Sequence, residues 1–143
     1  GAWHGTHACE LLAAPLTVLC VPAIARQLHG PGDVLKHTLL RSYRADEWSL
    51  WFQAAGLPAD TLVPRSIVFD SSLAMMEAAL QGNGVALAPA MMFSRQLAQD
   101  VIRQPFDVGI TTGSYWLTRL QSRAETPAML AFKQWLLEQV KGL

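Results

Sequence analysis

Residues 66–89 read SIVFDSSLAMMEAALQGNGVALAP, and the change of character inside this stretch decides the fold. An apolar run, Ile67 to Phe69, stops at Asp70-Ser71-Ser72. A helix-like segment follows, then Gly82-Asn83-Gly84, then a second apolar run from Val85 to Ala88. Short apolar runs bounded by turn residues read as buried strands. The stretch therefore predicts a buried strand over 66–69, a helix over 71–81 and a strand over 85–88. Strands alternating with helices imply an α/β domain built from βαβ units with right-handed crossovers.

The same reading extends in both directions. Residues 9–21, CELLAAPLTVLCV, predict a strand or strand pair with Pro15 at an edge or bend. Pro22 opens a short helix that stops before His29-Gly30-Pro31-Gly32, and GDVLKH makes a further helical turn or two. TLLRSY is a short strand. ADEWSLWFQAAG is a helix with Asp46 and Glu47 in its first turn, where the helix dipole favours negative charge, and with Gly56 as its stop. Residues 57–65 read as loop, 90–98 as helix and VIRQPF as a short strand-like segment. A Gly- and Thr-rich passage ends at Gly113, and SYWLTRL is a strand over 114–120. Thr126-Pro127 starts a helix over 127–141, with Met129, Phe132, Leu136 and Val140 on one apolar face.

Composition narrows the function classes. The chain has 143 residues, 51% of them hydrophobic and 15% charged, which suits a packed domain or one lobe of a larger one. Eleven basic residues balance eleven acidic ones with no basic block, so any nucleic-acid contact must come from another part of the protein. No apolar run approaches the roughly 18 residues of a membrane span. The opening GAWHG carries no signal-peptide pattern and reads as a start inside a longer protein. Cys9 and Cys20 form no disulfide framework, which points to a reducing, cytoplasmic setting.

An acid and two hydroxyls at a strand-to-helix junction admit two readings. The first-turn N–H groups of a helix lack partners within it, so Asp70, Ser71 and Ser72 can serve as an ordinary cap. A helix start at the carboxyl end of a sheet is also where open α/β sheets bind ligands, so the same residues can form a small-molecule site. Arg41, Tyr43 and Arg44 close a neighbouring strand and either hold an anionic ligand or sit as surface charge. Tyr115 is either strand core or a phenol facing a wet cleft. Trp48, Trp51 and Phe52 share a helix face, a pattern that favours core over sugar stacking. His4, His7 and Cys9 have the spacing of no standard metal site, so no metal or cofactor is expected. A small-ligand hydrolase using Ser72 is the competing class, although the G-x-S-x-G elbow is missing.

The stretch FDSSLAMMEAALQGNGVALAPAMMF resembles the effector domains of the LysR-type transcriptional regulators. In that comparison Gly82 fits a left-handed helix stop, Gly84 a tight entry to the strand and Pro89 the strand exit. GAWHG, LLRSYRADEW, VFDSS and GSYWLTRLQSRAETPAM resemble the branch that controls chromosomal β-lactamase. The resemblance implies a periplasmic-binding-protein-like (type 2) effector domain of two subdomains. Residues 1–12 would be a hinge or crossing-strand region, 13–103 the second subdomain, and 104–143 the hinge return with the last strand and helix of the first subdomain. It implies a muropeptide effector, either a UDP-N-acetylmuramoyl peptide or an anhydro-muropeptide, with Ser72 and Tyr115 in the pocket. A third pocket residue, a Thr, would lie outside this chain. It further implies a homo-oligomer, dimer or tetramer, and DNA binding through an N-terminal helix-turn-helix beyond the chain. The apolar tail is expected to fold back on 13–103 or to pack against a second copy.

Overall fold

The computed structural model describes residues 3–44, 46–58, 60, 61 and 65–142. The Gly1-Ala2 start, Ala45 ahead of its helix, and positions 59 and 62–64 of the expected loop lie outside the described residues. The chain forms two compact units, one of residues 15–112 and one of residues 1–14 with 113–143.

The 15–112 unit holds a five-stranded sheet. Its strands are β2 (Leu16–Leu19), β3 (Leu39–Ser42), β4 (Ser66–Phe69), β5 (Val85–Pro89) and β6 (Gly109–Ile110), in the order β4-β3-β5-β2-β6. β3 runs parallel to both β4 and β5, while β2 runs antiparallel to β5 and β6, so the sheet is mixed. Period-two alternation splits its apolar residues between two layers. Leu16, Val18, Cys20, Leu39, Val85 and Leu87 face α1 (Pro22–Ala25) and α2 (Glu47–Ala54), which contribute Ile24, Trp48, Trp51 and Phe52. Leu19, Leu40, Ala86 and Ala88 face α3 (Ser72–Leu80), which contributes Met75, Met76 and Ala79. The α2 aromatics are core, at 0–1% exposure, with ring centroids 5.5–5.8 Å apart. Fully burying one such side chain is worth about 1.5–3 kcal/mol.

Several expectations change. β4 is an exposed edge strand rather than a buried one, with Ile67 and Val68 about half exposed, because only β3 pairs with it. VIRQPF forms no strand; a single bridge joins Arg103 to Cys20. The Gly- and Thr-rich passage hides β6, and the Val108 carbonyl accepts from both Thr17 Oγ1 (2.9 Å) and Trp51 Nε1 (3.1 Å). Residues 90–98 split into a 3-10 turn over 90–93 and α4 (Ser94–Ala98).

In the other unit β1 (Thr6–Ala13) pairs antiparallel with β7 (Ser114–Leu120), and α5 (Pro127–Lys141) follows. Thr126 Oγ1 caps α5 by accepting from the Met129 N–H at 3.2 Å. The tail thus finds its strand partner in residues 6–13. The apolar face of α5 is only partly covered within this unit: Leu136 and Val140 are half-buried, Phe132 is about half exposed, and no α5 residue is fully buried.

Gly84 is the most tightly enclosed glycine of the larger unit. A Cβ there would overlap the Thr38 carbonyl oxygen, and that backbone is held by the Val85 N–H at 2.9 Å. Gly84→Ala should cost at least about 2–3 kcal/mol, read as a fall in the urea midpoint. Burial pushes the Cys20 thiol up to about 11 from its ordinary 9.0. The unfolded chain loses that proton first, so Cys20 should leave stability unchanged below pH 9 and lower it as pH rises towards 11. Cys20→Ser should flatten that part of the pH–stability curve.

Candidate functional site

The polar residues of the opening stretch gather at one end of the five-stranded sheet. Parallel pairing sets Arg41 beside Val68 and Ser42 beside Phe69, so Tyr43 and Asp70 follow directly from adjacent strand ends. β5 ends at Pro89 on the same side. The unit itself begins at Pro15, before β2, and ends at Thr112, after β6, at that same end. Carboxyl ends of parallel strands are where α/β sheets place ligands.

The junction after β4 resolves the choice of cap. Ser71, in extended backbone (φ −133°, ψ 128°), is the N-cap of α3, and its Oγ accepts from the Ala74 N–H at a long 3.5 Å. Asp70 is therefore not the cap; its carboxylate stands exposed before the helix. Ser72 is the first helical residue, half-buried, and its hydroxyl is spared from the capping bond.

The junction after β3 is built differently. Arg41 is half-buried, with Nε donating to Ser66 Oγ (3.4 Å) and Nη1 to the Ser42 carbonyl (3.3 Å). Ser42 Oγ donates to Glu47 Oε2 at 2.6 Å and accepts from the Arg44 N–H at 3.1 Å. Glu47, the acid read from the sequence as favoured by the helix dipole, is 5% exposed and anchors Ser42 from a buried position. Tyr43 is 68% exposed, and the Arg44 guanidinium stands 6.0 Å from its ring centroid. Sequence reasoning missed the Ser42–Glu47 bond because an acid at the first helical position reads the same whether solvated or buried.

Tyr115 lies in the other unit, on β7, opposite Leu12 and beside a bulge that leaves Leu11 without a partner position. It is 41% exposed and lies next to a shallow recess of about 430 Å³ that Trp3, Thr6 and Trp116 also line. His7 and Cys9 line a separate cleft of about 380 Å³ between β1, β7 and α5. Among the described residues no three His, Cys, Asp or Glu side chains converge as metal ligands. No helix among the described residues is long and apolar enough to cross a membrane.

Substituting Ser71 should cost about 0.5–1 kcal/mol through loss of a long cap bond, while Ser72→Ala should stay within about 0.5 kcal/mol. Thermal melts of the two variants check the order, and a larger loss for Ser72→Ala would contradict the capping assignment.

Residues 1–141 match the family model described as the LysR substrate binding domain. The chain is 72% identical over 138 residues to the HTH-type transcriptional activator AmpR of Pseudomonas aeruginosa, covering 96% of this chain and 47% of that protein. It is 58% identical over 141 residues to AmpR of Enterobacter cloacae, covering 99% and 48%. The chain thus spans about half the length of the curated relatives it matches. Among solved structures it is similar to the effector domain of AmpR of P. aeruginosa (TM-score 0.92, 71% identity, 99% of this chain and 68% of that one). It is also similar to the AmpR effector binding domain of Citrobacter freundii (TM-score 0.94, 50% identity, 100% and 72%). A further solved C. freundii effector binding domain carries three substitutions, Thr to Val, Ser to Ala and Tyr to Phe.

Proposed function

The chain belongs to the LysR substrate-binding-domain family, and from that premise we propose that it is the larger part of the effector-binding module of a regulator of β-lactamase expression, sensing cell-wall muropeptides. The family is one of regulators, not of enzymes, and its likeness carries the periplasmic-binding-protein-like fold class. The second subdomain, expected over 13–103, is taken here as the compact unit of residues 15–112, which adds 104–112 with β6, and β1, β7 and α5 belong to the hinge and the first. The effector is a UDP-N-acetylmuramoyl peptide or an anhydro-muropeptide. DNA is bound by a helix-turn-helix outside this chain, and the protein works as a cytoplasmic homo-oligomer.

The observation that carries the reading is the hydroxyl of Ser72. It stands at the start of a nine-residue helix, at the carboxyl end of parallel strands, while its neighbour Ser71 does the capping. The solved C. freundii variant adds support: its Ser and Tyr substitutions are separated by the same number of positions as Ser72 and Tyr115 here. Asp70, Ser71, Arg41 and Tyr43 complete the proposed site around Ser72. Ser72 and Tyr115 lie in different compact units, and each is proposed separately as an effector contact.

Calorimetric titration of the complete protein with UDP-N-acetylmuramoyl pentapeptide tests this. A lost hydrogen bond to a charged ligand group is worth about 1.5–3 kcal/mol, so Ser72→Ala and Tyr115→Phe should each weaken binding about 10- to 150-fold. The ligand should be recovered intact. Unaltered affinity in both variants would overturn the site, and released product would revive the hydrolase class.

A further inference from the structure

The buried Glu47 carboxylate does something that neither capping nor core packing requires. It sits at the first position of α2, 5% exposed, and accepts the Ser42 hydroxyl at 2.6 Å. Ser42 Oγ in turn accepts the Arg44 N–H at 3.1 Å. The chain of bonds closes the turn that leaves β3 and sets the backbone on either side of Tyr43. α2 does not depend on it. Trp48 Nε1 donates to the Leu40 carbonyl at 3.2 Å, and Trp48, Trp51 and Phe52 hold the helix in the core.

What the turn displays is a pair of side chains with no packing role. Tyr43 is 68% exposed, Arg44 is exposed, and the guanidinium stands 6.0 Å from the ring centroid. By register the turn emerges beside Asp70-Ser71-Ser72. An aromatic ring with a cation next to it is a recognition surface for a group that joins a planar or sugar face to an anion. Burying a carboxylate is costly, and here its hydrogen bond goes to the hydroxyl that sets this turn.

We propose that Glu47 is a positioning residue: through Ser42 it holds the Tyr43–Arg44 turn as a second wall of the effector site, and that wall takes the anionic part of the ligand, a phosphate or carboxylate. The proposal rests on the reading of Ser72 as an effector contact. Arg44 supplies the charge-assisted contact and Tyr43 the apolar face. Glu47 never touches the ligand; it removes the freedom the turn would otherwise lose on binding.

The complete protein is titrated with UDP-N-acetylmuramoyl pentapeptide as wild type, Ser72→Ala, Arg44→Ala, Glu47→Ala and Glu47→Gln, and amide exchange at Arg44 is followed without ligand. Arg44→Ala and Glu47→Ala should each weaken binding about tenfold. Their double variant should be little weaker than either alone, because the two act through one turn. Glu47→Gln keeps an acceptor for Ser42 and should restore most of the affinity. Arg44→Ala should also flatten the dependence of binding on salt. Exchange at the Arg44 amide should accelerate in Glu47→Ala and not in Glu47→Gln. If Ser72→Ala weakens binding while Glu47→Ala leaves affinity and Arg44 exchange unchanged, the positioning role falls and the effector site stands. If the wild type binds nothing, the effector reading falls and this wall with it. Should Glu47→Ala not fold, Ser42→Ala replaces it, with the same expected loss and the same overturning result.

Discussion

The hydrogen bond from the Val85 N–H to the Thr38 carbonyl, 2.9 Å long, is the contact on which the larger unit depends. It brings β5 against β3 at a distance that leaves no room for a side chain on Gly84. From it follows the register Leu39–Val85 and Leu40–Ala86, and with it the alternation that sends Leu39, Val85 and Leu87 to one layer and Leu40, Ala86 and Ala88 to the other. A slip of one residue would turn both apolar sets inside out. The same pairing levels the carboxyl ends of β3 and β5, and the pairing of β3 with β4 adds a third, so the polar ends meet on one rim.

The two layers are packed by different means. On one side Trp48, Trp51 and Phe52 interlock edge to face and tilted, and two indole N–H groups are satisfied by the Leu40 and Val108 carbonyls. These bonds matter as much as the area, since a buried indole without an acceptor would forfeit about 1–3 kcal/mol. On the other side Met75, Met76 and Ala79 of α3 pack on Leu19, Leu40 and the small Ala86 and Ala88. Small residues on the strand let the helix lie close, which fixes where α3 begins and so where Ser72 stands. Core packing and site placement are the same constraint seen from two ends.

At the rim, each polar residue is held by a separate device. Ser71 caps the helix and leaves Ser72 free of that duty; Ser42 and Glu47 close the neighbouring turn; Arg41 is tied across to Ser66. Division of labour of this kind lets the exposed groups vary in what they contact without loosening the scaffold. It also separates stability from recognition, since the residues facing water carry little of the packing energy.

Local chemistry was readable without coordinates. The strand, helix, Gly-rich turn and strand of 66–89, the helix stop at Gly82 with φ +76°, the Thr126-Pro127 start of α5 and the strand over 114–120 all rest on nearest-neighbour preferences that a sequence displays. That Arg41 and Tyr43 close one strand and Asp70, Ser71 and Ser72 another was legible as well, but that the two ends meet on one rim follows from the parallel pairing of β3 with β4. What sequence could not decide were properties set by a distant partner. β4 is half exposed because it is the edge, and edge or centre depends on sheet order rather than on Ile67 and Val68 themselves. β6 is two residues long and exists only because Leu16 and Thr17 stand opposite it. Glu47 is buried because Ser42 meets it across a turn, and Ser71 caps in place of Asp70 because backbone geometry, not acidity, chose the acceptor. Preference is local and legible; burial and partnership belong to residues that meet only when the chain has folded.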